Sequence, residues 1–341
     1  MRYPACLLAL LLTNSFCIQA QRGNENLRQT IDSLIINAQY AEALSRLEQF
    51  SDESSSILLD NMKAETLTRS GKLDQAEKVL SDLQIRLTLH PDAFLNAVVQ
   101  SNWGYLQLNK GRSDLAELSL QNALRFFEDS DLAGTTDAAK ALSYLGLVYM
   151  SQGKYTQAQE QMHRAMSLRQ ENSENNKGLI AASLNDLGLV YSQTDKDRAL
   201  NYYGQALEMY LTLYQDNDPR IAIANINIGI IYRDLQLYGD AVNNFETALR
   251  IWNSNFSQPH PTKAIALYNL GQTYIMLNDS KAAMQYYEQA LKMYSDYFGP
   301  KHPEAVSVLN AIGNLQVADA EFNAALLTYQ EALQANVQDF T

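Results

Sequence analysis

Cysteine is almost missing from these 341 residues: there are two, Cys6 and Cys17, both within the first twenty positions. Beyond residue 20, a disulfide framework, thiol catalysis and a cysteine metal site are therefore excluded. Histidine is scarce as well, and His90, His163, His260 and His302 stand too far apart to form a pair with metal-ligand spacing. His163 reads as a solvated helix position. The sequence has no glycine-rich phosphate loop, no elbow around a serine nucleophile and no zinc-hydrolase helix motif. The expectation is a chain with no enzymatic activity of its own and no cofactor. Basic residues are outnumbered, 26 against 38 acidic, for a net charge of −12. Such a surface repels nucleic-acid phosphates and anionic membrane faces. After residue 20 no apolar run is long enough to span a bilayer.

The one compact apolar run, Ala5 to Leu12, follows Arg2 and precedes a polar patch and Ala20. That is the form of a secretory signal peptide over residues 1–20, cleaved near Ala20. It predicts a secreted or periplasmic protein. Cys17 raises a lipoprotein reading, but Phe16 stands where a lipidation site would have a small residue.

What the sequence does have is a period. Trp103-Gly104, Leu145-Gly146, Leu187-Gly188, Ile228-Gly229, Leu270-Gly271 and Ile312-Gly313 follow one another at steps of 42, 42, 41, 42 and 42 residues. Further landmarks hold constant offsets from each pair, as in Tyr149, Gly153, Tyr155, Ala158, Met162 and Ala165. These offsets trace one helical face, a turn punctuated by Gly111, Gly153, Asp195, Gln236 or Asn278, and a second helical face. Small residues at Gly146 and Ala158 allow two helices to approach closely. The tyrosines at 149, 191, 232 and 274 fall inside the helix pairs, so they and the tryptophans Trp103 and Trp252 read as packing residues. Proline tests this register independently, because inside a helix it costs about 3 kcal/mol. Pro91, Pro219, Pro259, Pro261, Pro300 and Pro303 all fall between a second helix and the next first helix. Asp218-Pro219 and His302-Pro303 read as helix starts.

The fold class expected is all-α, an α-solenoid of about eight helix pairs stacked on a continuous core. Residues 97–341 hold six clear repeats of about 42 residues. Residues 21–96 hold two degenerate ones, in which Lys63-Ala64 and Thr30-Ile31 stand where a Leu-Gly pair would. The serine-rich patch Ser51 to Ser56 is the loop between them.

These motifs resemble the tetratricopeptide repeat. The long second helices, ending in Phe298-Gly299-Pro300-Lys301-His302-Pro303, resemble its kinesin-light-chain-like subclass. The resemblance implies a right-handed superhelix whose first helices line a concave groove that takes a protein or an extended peptide. The residues it places there are Asn102, Tyr144, Asp186, Asn227 and Asn269, each just before a Leu-Gly pair, with Asn185, Arg233, Gln272, Asn310 and Asn314 nearby. A line of carboxamides at one-repeat spacing suits an extended peptide, because each can both donate to and accept from its backbone. Family members that clamp a carboxylate tail have basic residues early in the groove, where this chain has Ser101, Ser143, Asn185, Ile226 and Tyr268.

A leader followed by a long array of this type also resembles the N-terminal part of bacterial proteins that continue into a CHAT domain, a caspase-like peptidase module. That resemblance implies a second role, as the sensing arm of a larger enzyme, although no residue of the module is present. The last helix, Asn323 to Val337, carries Ala324, Ala325, Leu326, Leu327, Tyr329, Ala332 and Leu333, with Glu331 as its only charge. An open apolar end predicts cover by further chain, by a partner or by a second copy stacked end to end.

Overall fold

The computed structural model describes residues 27, 30–31, 34–35, 39–49, 57–129, 132–171, 177–255 and 260–336. The leader with Cys6 and Cys17, the Ser51 to Ser56 loop, Pro259 and Val337 lie outside the described residues. All regular structure among the described residues is helical, and the helices form two units, residues 1–133 and 134–341.

The first unit contains α1 (Tyr40–Gln49), α2 (Ile57–Arg69), α3 (Leu73–Leu89), α4 (Ala93–Asn109) and α5 (Ser113–Asp129). α2 pairs with α3 and α4 with α5, while α3 also packs on α4. Their shared core includes Ala64, Leu67, Leu80, Leu83 and Leu106. Ala64, where the clear repeats have glycine, is fully buried.

The second unit contains α6 (Thr136–Ser151), α7 (Tyr155–Glu171), α8 (Lys177–Tyr191), α9 (Lys196–Leu213), α10 (Pro219–Asp234), α11 (Tyr238–Asn255), α12 (Pro261–Met276), α13 (Ser280–Phe298), α14 (Pro303–Ala318) and α15 (Phe322–Asn336). Each even-numbered helix is the first of a pair, and each odd-numbered helix before α15 packs both on its own partner and on the next first helix. First helices also meet one another, α6 with α8 and α10 with α12. The first-helix layer is thus the tighter side of the unit.

The Leu-Gly glycines explain how each pair closes. A β-carbon added at Gly229 would stand 2.7 Å from Cε1 of Phe245, and one at Gly188 would stand 2.5 Å from Cδ1 of Tyr203. Carbon atoms not bonded to each other prefer about 3.5–4.0 Å. The second-helix side chain therefore occupies the volume that any other residue would need.

Helix starts follow the prolines. Pro219, Pro261 and Pro303 open α10, α12 and α14, capped by Asp218, His260 and His302, each accepting from the backbone N–H two residues on. His260 is also stacked on Trp252, with ring centroids 4.1 Å apart, and Trp252 is fully buried. The turns inside the pairs use a left-handed residue: Gly71, Gly111, Gly153, Gln236, Asn278 and Ala320 all have φ between 58° and 76°. Asp195 departs from the expected turn role. Its φ is −153°, and its carboxylate caps α9 by accepting from the Arg198 backbone N–H. Among the expected packing tyrosines, Tyr149 and Tyr191 are buried and Tyr232 and Tyr274 half-buried.

His163 departs from expectation too, being half-buried rather than solvated. Its Nε2 lies 3.2 Å from the Tyr191 hydroxyl, and its ring meets the edges of Tyr191 and Tyr202. Burial, aided by Arg198, pulls its pKa below the usual imidazole value.

Candidate functional site

Three successive first helices, α8, α10 and α12, position the best-formed polar surface. They bury aliphatic residues such as Leu187, Ala222, Ala224, Ala266 and Leu267, leaving an adjoining stripe for polar side chains. On that stripe Asn227 of α10 donates from Nδ2 to Oδ1 of Asn185 on α8, at 2.9 Å. Both residues are half-buried. The link spends one amide hydrogen and one carbonyl lone pair. The Nδ2 of Asn185 and the Oδ1 of Asn227 have no partner among the described residues, so this pair still offers a donor beside an acceptor.

One repeat further on, Arg233 reaches from the last turn of α10 to α12. Its Nη1 donates to Oδ1 of Asn269 at 2.6 Å and to Oε1 of Gln272 at 2.5 Å. Its Nη2 lies 3.2 Å from Asp234. Gln272 donates in turn to the Tyr268 hydroxyl, 2.9 Å away, and Asn269 donates to the Ile265 carbonyl at 2.8 Å. The guanidinium is thus held by a built frame instead of swinging on a flexible stem. Asn269, 5% exposed, belongs to that frame.

The remaining expected residues are placed differently. Asn102, in the first unit, is 2% exposed and donates to the Asn61 carbonyl at 3.1 Å, so it ties α4 to α2. Tyr144 on α6 is buried, with the Lys140 ammonium 5.7 Å from its ring centroid. Asp186 is half-buried and sits in the field of Arg169. Asn310 and Asn314 on α14 are exposed, and Asn314 accepts from the Tyr329 hydroxyl at 2.6 Å. The structure therefore brings Asn185 with Asn227, and Arg233 with Asn269 and Gln272, into contact. Asn102 is engaged within the first unit instead, by the Asn61 carbonyl.

Sequence reasoning missed Arg169, near the end of α7. It is 7% exposed, with Nη1 donating to the Ser183 hydroxyl of α8 and Nη2 to that of Ser143 on α6, the latter at 3.1 Å. Its Nε has no partner among the described residues. Burial pulls the guanidinium pKa down, while Asp186 and then Tyr144 pull it back up. The signal was present in the repeat itself. Four residues after the second-helix alanine, other repeats carry Phe127, Tyr210, Trp252 and Tyr294, all buried. Arg169 is the cation in that aromatic series. Ser183 likewise replaces the small apolar Ala141, Ala224 and Ala266 at the matching first-helix position.

No group of histidine, cysteine and carboxylate side chains arranged to hold a metal ion occurs among the described residues, and none of their helices is long and apolar enough to cross a membrane.

With this geometry in place, the chain can be set beside known proteins. Residues 137–212 and 220–296 match the tetratricopeptide repeat family model. No curated protein matches the chain. Among solved structures, a chain of the APC/C hetero-tetramer Cut9-Hcn1 superposes with a TM-score of 0.64 at 17% identity, covering 92% of this chain and 53% of that one. The chain thus spans about half the length of that relative. A Rap protein complexed with Competence and Sporulation Factor gives 0.61 at 18% identity, covering 82% and 76%. NprR in complex with its cognate peptide NprX gives 0.56 at 16% identity, covering 85% and 81%. At these identities the likeness is one of fold.

Proposed function

We propose that this tetratricopeptide-repeat protein is a binding scaffold, without catalysis of its own, that takes an extended peptide segment along the first-helix face of its second unit. The observation that carries the reading is the Asn185–Asn227 pair. Two carboxamides from successive repeats are pre-positioned by their mutual hydrogen bond, and each keeps unsatisfied capacity of the opposite kind. That matches the alternating N–H and C=O groups of a peptide backbone, which are strong obligatory hydrogen-bonding groups. The frame of Arg233, Asn269 and Gln272 lies one repeat further along. There a fixed guanidinium suits a ligand carboxylate or carbonyl. A Rap protein complexed with Competence and Sporulation Factor and NprR in complex with its cognate peptide share the fold and support the reading by analogy alone.

The leader assigns the scaffold to the secreted or periplasmic space. Amino-terminal sequencing of chain recovered from the envelope or medium is expected to begin near Gln21; a retained Met1 would sink that assignment. Groove binding is tested by capturing ligands from the same fraction with the unaltered chain and with Asn185→Ala plus Asn227→Ala. Loss of captured peptides with helicity intact is expected. Equal capture by both proteins would refute it.

A further inference from the structure

The first-helix face of the second unit differs in charge from the chain as a whole. Helices α6, α8, α10 and α12 hold five basic residues against three acidic ones, a net charge of +2, in a chain whose net charge is −12. Two groups of charge flank the neutral Asn185–Asn227 pair, one toward α6 and one toward α12. Each group has one positive charge in excess.

Toward α6 the group is built on Arg169. Ser143 of α6 stands three residues before its glycine, as Asn185 does on α8, and so belongs to the same polar stripe. Its hydroxyl oxygen accepts from Nη2 of Arg169 at 3.1 Å, and its own hydrogen has no acceptor among the described residues. The buried guanidinium is thus bonded to neutral hydroxyls, with its Nε unspent among the described residues, and a buried cation held in that way is costly. The aromatic ring that other repeats place in this slot would avoid the cost. Lys140, half-buried, lies three residues before Ser143 on the same face of α6. Asp186 is the acid that acts on Arg169, so two basic groups share one acid.

Toward α12 the group is built on Arg233. Its Nη1 is spent on Asn269 and Gln272 and its Nη2 meets Asp234, but its Nε hydrogen has no partner among the described residues. Asp234 also lies 3.7 Å from Nζ of Lys196, so here too two basic groups share one acid.

We propose that the ligand of this face is an acidic peptide with two carboxylates about six residues apart, one held by the Ser143 hydroxyl and Lys140 and the other by Arg233. The proposal rests on the peptide-binding reading and adds the class of peptide. Adjacent packed helices lie about 10 Å apart, so the two groups, two helix steps apart, are separated by about 20 Å. Extended chain covers that distance in about six residues, and its middle then passes over Asn185 and Asn227. Bonds from Ser143, whose oxygen is polarised by Arg169, and from the Nε of Arg233 are charge-assisted when the acceptor is a carboxylate. An anionic ligand is also steered to this face, because the rest of the chain repels it.

Selection from a library of random twelve-residue peptides on the unaltered chain provides the test. Enriched peptides are expected to carry two acidic groups about six positions apart, with lysine and arginine depleted. Changing either acid of a selected peptide to its amide is expected to weaken binding about tenfold, the lower end for hydrogen bonds to charged groups. Amidating the peptide's C-terminus causes the same loss where the terminal carboxylate is one of the two, and none where both are side chains. Lys140→Gln and Arg169→Met are expected to erase the preference for an acid at one end, and Arg233→Gln at the other, with helicity unchanged in all three. An acidic preference that survives all three variants overturns the proposal. Enriched peptides without acidic preference, whose binding is lost with Asn185→Ala plus Asn227→Ala, overturn it as well and leave the scaffold reading standing. If no peptide is enriched, both fail.

Discussion

Placing alanine at Gly146, Gly188, Gly229 and Gly271 in turn should give unequal penalties, set by what the new methyl group meets. At Gly146 the β-carbon would approach Cε of Met162 to 2.9 Å and its Cγ to 3.0 Å. An unbranched thioether chain can swing away from such a contact. At Gly188, Gly229 and Gly271 the obstacle is an aromatic ring: Tyr203 at 2.5 Å, Phe245 at 2.7 Å and Tyr287 at 2.5 Å. These rings are 2%, 0% and 4% exposed, so they have no open volume to rotate into. Replacing a mid-helix glycine by alanine gains about 1 kcal/mol of helix propensity, and overpacking a tight core costs typically about 1–3 kcal/mol. At Gly146 the two effects nearly cancel. At the three ring positions the cost stands at the upper end, leaving a net loss of about 2 kcal/mol. The read-out is hydrogen exchange resolved helix by helix, because a repeat array opens locally and a single melting curve would average the effect away. Protection should fall in α10 and α11 for Gly229→Ala and stay level in α6 and α7 for Gly146→Ala. Equal losses at all four positions would refute the assignment of cost to the ring.

Three other expectations follow from the geometry. Arg169→Ala should destabilise the second unit by about 3 kcal/mol through the cavity it leaves, whereas Arg169→Met, which fills the volume and removes a buried cation, should be neutral or stabilising in urea denaturation; identical losses would show that the charge itself holds α6 and α8. Ala320→Gly should stabilise the turn before α15, since a left-handed residue with a β-carbon is strained by roughly 1–2 kcal/mol, and an unchanged unfolding midpoint would argue against that strain. Burial raises the phenol pKa of Tyr203, Tyr210 and Tyr294 and pushes that of Tyr287 up to about 12. The folded state therefore holds its protons after the unfolded chain, near the usual value of about 10, has lost them. Stability is complete below about pH 10 and falls as pH rises through about 12, which thermal melts across that interval will show; a flat profile would mean these phenols are solvated.

Much of this architecture was written in spacing. The register from Trp103-Gly104 to Ile312-Gly313, the proline positions and the apolar end of the last helix all depend on local periodicity, and each is where the residues place it. The polar stripe was legible only in part. Whether a carboxamide before a Leu-Gly pair faces solvent depends on how near the neighbouring first helix comes, and that is a tertiary distance. Asn227 meets a side chain across the gap, while Asn102 meets the Asn61 carbonyl and is consumed by it. Arg169 was hidden for another reason. Viewed within its own helix it continues a polar face, and only alignment with Phe127, Tyr210, Trp252 and Tyr294 exposes it as a cation in an aromatic slot. Asp195 shows the same limit at a turn, since an acid at that offset can either twist the chain or cap the next helix.

Because every helix in each unit packs only on near neighbours in the chain, hardly any closure of long loops is needed to build it. Chains rich in local contacts fold quickly, and linear arrays can nucleate at any pair and grow outward from it. The pairs best suited to start are those with the largest buried rings, around Phe245 and Trp252. Growth in either direction then adds one helix at a time, each finding its seat on a surface already formed. A nascent chain of this kind can take shape as it lengthens, and an error in one pair delays its neighbours without undoing the rest.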